Sequence, residues 1–322
     1  MSKNYFKNFY HGVVFHLFHD ELRHKKAHGS LSKDNFKEII EIIGRENILD
    51  AEIFYQKLLE DKLKDNHVCF TFDDAHKSAI DIALPVLEDF KIKSFFYVYS
   101  SVLEGNPDNL EIFRFFRTNY FKDINDFYNL FYKTLNENLD LFFKKKENII
   151  LEKKKRYPFY SIEDIKFRLV RSDFFKEKKD FEKIMFRLME NKKFKIEDNL
   201  STLFMNSDDI ILLENLGHKI GLHSHTHPIK IENLSYDGQL NEYIKNRDIL
   251  SKTIKKPVDY IKTASHPCGS YNENSLKVLQ KLGIKLAFKD SMLIEKEKKM
   301  KKINNSKLEI ARIDPFDIIN NR

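Results

Sequence analysis

The sequence predicts an α/β protein built on a largely parallel sheet. Two observations carry the prediction: short β-rich runs alternate with helical stretches, and the residues with chemistry follow directly on the apolar runs. A chain of 322 residues is also long enough to bury a large core.

In chain order, the first candidate strand is 13–18, which leads into His19 and Asp20. Helices over 33–43 and 51–63 follow, with Ser32 and Asp50 placed to cap their N-termini. The run 68–72 is the second strand and closes on Asp73 and Asp74. A helix over 76–90 contains Pro85, which predicts a kink or break near Leu84. The third strand is 93–100. From 106 to 206 no convincing strand occurs, and Phe, Lys, Glu and Asp recur at helical spacing, as in 174–186. This segment is expected to be a helical insertion between strands 3 and 4, giving a discontinuous domain, 1–105 and 206–322, around an insertion at 106–205. The alternation then resumes with a helix over 207–216, a strand over 218–224, a helix over 234–254 and a strand over 260–265. A helix over 274–282, opened by Asn272 or Glu273, and strands over 284–288 and 309–313 complete the pattern.

Hydrophobic residues at 42% and charged residues at 33% exclude a disordered chain. No stretch approaches the roughly 20 apolar residues of a transmembrane helix, so no transmembrane segment is expected. Residues 1–7 run into polar and aromatic residues without an apolar signal core. Cys69 and Cys268 do not make a disulfide framework and suit a reducing compartment. A cytoplasmic location is the expectation. The balance of 56 Lys+Arg against 49 Asp+Glu gives a net charge of +7. The lysine runs at 144–146, 153–155 and 298–299 are interrupted by acids, and no nucleic-acid motif accompanies them, so they read as solvated faces without a nucleic-acid partner.

Three segments carry chemistry. Thr71-Phe72-Asp73-Asp74 puts two acids at the end of a buried strand, where α/β active sites are built, although such a doublet also caps helices. His223-Ser224-His225-Thr226-His227-Pro228 places three histidines in five positions after a strand, a metal-ligand pattern. His223 and His227 share a face if the chain turns helically there. Ser265-His266-Pro267-Cys268-Gly269 follows another strand, and its Pro and Gly constrain a turn able to wall a pocket.

Together these segments resemble the polysaccharide deacetylase family, the NodB-homology carbohydrate esterases. Thr71 to Ala75 matches the family's first motif, and His223 to Pro228 matches the second without a gap. Of the third, Arg-x-Pro-x-Gly, only Pro267-x-Gly269 is present. The resemblance spans about 10–105 and 206–315 and implies an irregular (β/α) barrel of about seven parallel strands. It implies a divalent metal held by Asp74, His223 and His227, with zinc favoured and cobalt, nickel or manganese compatible. It implies Asp73 as the general base and a pocket wall at Pro267, Cys268 and Gly269. The implied activity is removal of an N-acyl, typically N-acetyl, group from an amino sugar. The substrate would be a surface-glycan precursor, nucleotide- or lipid-linked. The alternatives are an O-deacetylase or a sugar-binding relative weakened in catalysis.

Two departures follow from the alignment. Ser265 stands where the family has an Arg that orients the base. The family's late Leu-x-x-His, source of the general acid, is absent, since no His follows His266. His16, at the end of the first strand, is the favoured substitute acid. His266 is the second candidate, for the acid or for orienting Asp73. His225 is expected to point away, His76 to open the next helix, and the cysteines to be core and pocket-wall residues rather than nucleophiles.

Overall fold

The computed structural model describes residues 8–135, 137–156, 160–175, 177–291 and 303–320. The N-terminal segment 1–7 and the lysine pair at 298–299 lie outside them. Seven parallel strands pair in sequential order and close into a barrel. They are β1 His11–Phe15, β2 Val68–Phe72, β3 Phe95–Val98, β4 Lys219–Leu222, β5 Thr263–Ser265, β6 Leu286–Ser291 and β7 Ile310–Ile313. Closure comes from β7 against β1, with Gly12 opposite Arg312 and Val13 opposite Ile313. A closed parallel barrel brings every strand's C-terminal end to one rim, which is where all three motifs fall.

The barrel is filled rather than hollow. Cys69, Phe95, Tyr97, Phe288 and Ile310 are buried together with Phe54 of the helix Ala51–Leu59. Phe72 stacks on Phe96 at 4.7 Å between centroids. Gly221 is needed for space, because a methyl group there would run into the Tyr97 ring.

Local structure departs from the sequence expectations in instructive ways. β1 ends at Phe15 rather than residue 18, and Phe18 makes only an isolated bridge to Leu31. Leaving the ladder early frees the chain after Phe15 to form the barrel rim. Helix Lys33–Ile43 has the expected Ser32 cap, in a capping box with Asn35. Asp50 precedes its helix as expected, but its carboxylate accepts from the Lys93 backbone N–H at 3.0 Å instead of capping. The expected break before Pro85 is a π-helical turn, Ala79–Ala83, leading into Leu84–Asp89 with Pro85 in its first turn.

The chain divides into two compact units. One is the barrel: 1–20, 31–108 and 201–322. The other comprises 21–30 and 109–200, so the segment 21–30, which the sequence did not assign to the helices, joins them. This unit has its own core, with Phe116, Phe127, Phe131, Phe167, Phe181 and Met185 all buried. Inside it lies Asp164, with no exposed surface, bonded by Arg117 at 2.7 Å and the Tyr128 hydroxyl at 2.8 Å. No helix among the described residues is long and apolar enough to cross a membrane.

Candidate active site

The acidic motif leaves β2 through a sharp turn. Asp73 donates its backbone N–H to the Phe15 carbonyl, and Asp74 and Ala75 both adopt positive φ, 69° and 54°. Ser224 (62°), His227 (54°) and Cys268 (53°) share that left-handed conformation. Five such residues in three rim loops hold strain of order 1–3 kcal/mol each, the kind of backbone that persists where side chains must be aimed. The histidines therefore converge differently from the sequence expectation. Left-handed backbone at Ser224 and His227, not a helical turn, brings the rings of His223 and His227 to 5.0 Å.

The helix Tyr236–Thr253 braces this loop from behind. Asn246 accepts from the His223 backbone N–H at 2.9 Å and donates to the Val98 carbonyl at 2.9 Å. Glu242 accepts from the backbone N–H groups of His225 and Thr226. The His225 ring points away, as expected, and bonds Ser100 Oγ at 2.9 Å.

Asp74, His223 and His227 are all buried, with one potential ligand atom each within 4.8 Å of the others. Asp74 Oδ1 lies 3.1 Å from His223 Nε2 and 3.2 Å from His227 Nε2. His223 Nδ1 is 3.0 Å from the Ser265 carbonyl, which only accepts, so this nitrogen carries a proton. His227 Nδ1 lies 3.4 Å from the Asp108 carboxylate, which fixes its ring in the same sense. Both Nε2 atoms thus aim at one carboxylate oxygen. In the neutral rings their lone pairs would face its lone pairs, an arrangement that requires a proton or a cation between them. Outer partners on Nδ1 with inward Nε2 atoms are what a histidine metal site uses, so these residues fit a divalent ion. The same field acts on protons. Burial opposes charge on Asp74, but His227, with hydrogen bonds from His223, His227 and His76, holds its carboxyl well below the usual range. Burial also opposes protonation of His227, yet Asp74 and Asp108 push its pKa well above the ordinary value.

Asp73 is 3% exposed and stands beside this set, its Oδ2 3.9 Å from His223 Nε2. Oδ2 accepts from Arg312 Nη1 at 2.7 Å and from Ser265 Oγ at 3.1 Å. Oδ1 is buried and has no hydrogen-bond partner among the described residues. Burial alone would raise its pKa, but Arg312, then His223 and His16, keep it below the usual value, so Asp73 is ionised at neutral pH.

Arg312 was not anticipated from the sequence. It is 1% exposed, comes from β7, and is locked by a second bond from Nε to the Lys289 carbonyl at 2.7 Å. The available signal was a lone Arg inside the apolar strand Ile310-Ala311-Arg312-Ile313. His76 was assigned only to a helix start, yet its Nε2 lies 3.7 Å from Asp74 Oδ2. Asp108 carried no signal at all.

His16 Nε2 lies 4.0 Å from Asp74 Oδ2, and the side chain is 40% exposed, so it reaches the site from the open side. His266 requires a correction. Successive side chains leaving a strand point to opposite faces. Ser265 points inward at Asp73, so His266 points away, stacked on Tyr271 at 4.2 Å with Nε2 donating to the Leu308 carbonyl. Burial drops its pKa to about 4, and it is a neutral packing residue rather than a rim group. Pro267, Cys268 and Gly269 form the short turn after β5, and Cys268 Sγ sits 3.9 Å from His227 Nε2. Gly269, at φ 68°, passes so close to Asp290 that a side chain would collide with it.

Residues 178–287 match the family model described as polysaccharide deacetylase. That span holds the histidine motif and the Pro267–Gly269 turn, while Asp73 and Asp74 lie before it. No curated protein sequence matches the chain. Among solved structures, the fold is similar to a Streptococcus pyogenes deacetylase, PplD, in complex with acetate. That likeness has a TM-score of 0.54 and 15% identity over 96% of both chains. It is also similar to a de-N-acetylase from Aggregatibacter actinomycetemcomitans (0.54, 12%, covering 97% of this chain and 98% of that one). A third likeness is to IcaB from Ammonifex degensii (0.52, 12%, covering 95% and 91%). The match is thus to the polysaccharide deacetylase model over residues 178–287, and the likeness to the solved structures is one of fold.

Proposed function

We propose that this protein is a metal-dependent deacetylase that removes an N-acetyl group from an amino sugar. One observation carries the reading: a buried, ionised Asp73 has one oxygen clamped and the other unpartnered, beside an Asp/His/His set fitted to a divalent ion. An unpartnered buried carboxylate oxygen is costly, by about 1–3 kcal/mol or more, and is retained where it has a use.

Asp74, His223 and His227 would hold the ion, with zinc favoured by the donor set. When bound, such an ion polarises an acyl carbonyl and acidifies water. Asp73 Oδ1 accepts a proton from the water that attacks the acetyl carbon, while Arg312 and Ser265 keep Oδ2 fixed. As the C–N bond breaks, the departing nitrogen needs a proton, which His16 supplies from the open side of the site. The products are acetate and the free amine. Asp108 and the Ser265 carbonyl hold the two imidazoles in orientation, and the turn Pro267–Gly269 forms a wall against the sugar. The substrate on this reading is an N-acetylated unit of a glycan or of its nucleotide- or lipid-linked precursor, in the cytoplasm. An O-acetyl group would meet the same base.

The test is acetate release from N-acetylated and O-acetylated saccharides, with elemental analysis of the wild type, Asp74→Ala and His227→Ala. The expected outcome is N-deacetylation by the wild type and loss of both metal and activity in the two variants. Full metal occupancy in both variants would overturn the ligand assignment. Cleavage of O-acetyl substrates alone would overturn the amide specificity.

A further inference from the structure

Within the helical unit lies an open cleft of about 540 Å³, walled by the segments 25–26 and 118–122. Lys25, Lys26 and Lys122 line it, and no carboxylate stands among its described lining residues. The acids nearest in sequence, Glu21 and Asp123, do not line it. Asp123 Oδ1 instead accepts from the Asn125 backbone N–H at 2.8 Å, at the start of the helix Ile124–Leu135.

Parts of this cleft are already fixed. Lys25 Nζ donates to the Asn119 carbonyl at 3.2 Å, which ties the two walls together. Asn119 Nδ2 donates to the Phe115 carbonyl at 3.0 Å, and its side-chain oxygen remains to accept. Tyr120 is 37% exposed, yet its ring is held in an edge contact with Phe194 at 4.7 Å. Phe121 already carries a cation, Lys192 Nζ at 4.7 Å over its ring, so Tyr120 is the lining ring left for a ligand.

Each feature selects a partner. Ammonium groups with no carboxylate between them attract anionic groups. An exposed tyrosine offers an apolar body with a polar tip, a surface on which a sugar ring can pack. Thr118 and Asn119 add neutral donors and acceptors for hydroxyls. The volume lies inside the roughly 300–1,000 Å³ of ligand sites, and the lining has no acid to hold a metal ion.

We propose that this cleft binds an acidic saccharide, a sugar chain whose carboxylate or phosphate groups meet Lys25, Lys26 and Lys122 while one ring packs on Tyr120. The site shares no residue with the Asp/His/His set of the barrel.

Calorimetric titration of the full chain with tetragalacturonate, phosphorylated maltotetraose and plain maltotetraose tests it. None of the three carries an acetyl group, so the result is blind to the barrel chemistry. One saturable site per chain is expected for a charged oligosaccharide, as carboxylate or as phosphate, and none for maltotetraose. Binding should fade as salt rises from 0.1 M to 1 M, where the screening length falls from about 10 to about 3 Å. Lys26→Gln and Lys122→Gln, both at exposed positions, should each weaken binding by about fivefold. Tyr120→Ala should cost about as much and leave the salt response intact. Lys133→Gln removes the same charge from an exposed position of the same unit outside the cleft, and affinity should hold. Absence of saturable binding, equal binding of maltotetraose, or an equal loss in Lys133→Gln would each overturn the proposal. Tighter binding of an oligothymidylate would overturn the saccharide assignment as well.

Discussion

Each unit buries an aspartate against arginine, and the two pairs are built to different ends. Asp164 in the helical unit is saturated: Arg117, Arg168, Tyr128 and His28 all lie on its oxygens. Asp73 in the barrel is saturated on Oδ2 only, and Oδ1 is left without a partner. A fully satisfied buried charge organises a core, because any departure from its geometry strands a charge. A half-satisfied one is poor architecture but suits the proposed base, held in place from behind and unpartnered, though buried, in front. Ion pairing alone does not mark a catalytic carboxylate. The oxygen left over on Asp73 is what the proposed base role rests on.

Exchanging each acid for its amide should separate the two uses most sharply. Asp73→Asn should lower deacetylation by at least about 10²-fold, the usual contribution of a positioned proton acceptor, with the metal retained. Loss of metal in that variant would make Asp73 a ligand instead. Asp164→Asn should instead destabilise the helical unit by about 3–5 kcal/mol, since it strands two guanidiniums. Hydrogen exchange of the peptides within 109–200, in the full chain, reads this out. The pH dependence has a definite sign. Although burial would raise it, His28, Arg117 and Arg168 hold the Asp164 pKa far below the ordinary value. The unfolded state therefore binds more protons in acid. The stabilisation is complete above the unfolded pKa of about 3.9 and is lost progressively as pH falls below it. Protection in the helical unit should drop with acid in the wild type and much less in Asp164→Asn. An identical acid response in both would place the acid-sensitive group elsewhere.

Much of this was legible in the sequence because strand ends and motif residues coincide. Val68–Phe72 followed by Asp73-Asp74, and Ile220–Leu222 followed by His223, announced both the barrel and the rim where Asp74, His223 and His227 cluster. The proton-holding partners were not legible, because they come from elements distant along the chain and nothing local marks them. Arg312 is 239 residues from Asp73, and Asp108 is 119 from His227. They meet only because the barrel closes β7 onto β1 and gathers its loops at one rim. His266 misled for the opposite reason. It is adjacent in sequence to a motif position, but strand alternation turns it out of the site.

His16 sharpens the comparison from the open side, since it should deliver the proton that Asp73 does not return. His16→Gln should cut amide hydrolysis by about 10²-fold while the metal stays bound. An aryl acetate offers a leaving group that departs without protonation, so its cleavage should be nearly unchanged. Equal losses on both substrates would mean that His16 supports the site's structure or binds substrate, and does not serve as the acid.

The smallest expected effect lies behind Asp73, where two donors share Oδ2. Arg312 brings charge and two fixed bonds, one to Asp73 and one to the Lys289 carbonyl, whereas Ser265 brings a single neutral donor at 3.1 Å. Ser265→Ala should therefore lower kcat by less than about tenfold, because a neutral hydroxyl contributes about 1 kcal/mol where a charged donor remains. Arg312→Lys keeps the charge but gives up the rigid fork that reaches Asp73 and Lys289 together, and its loss should be the larger of the two. In both variants KM should hold, since neither side chain stands on the substrate side of Asp73. A Ser265→Ala defect larger than that of Arg312→Lys would mean that the hydroxyl has taken over the orienting task itself. Arg312 would then be a structural counter-ion of the same kind as the arginines around Asp164.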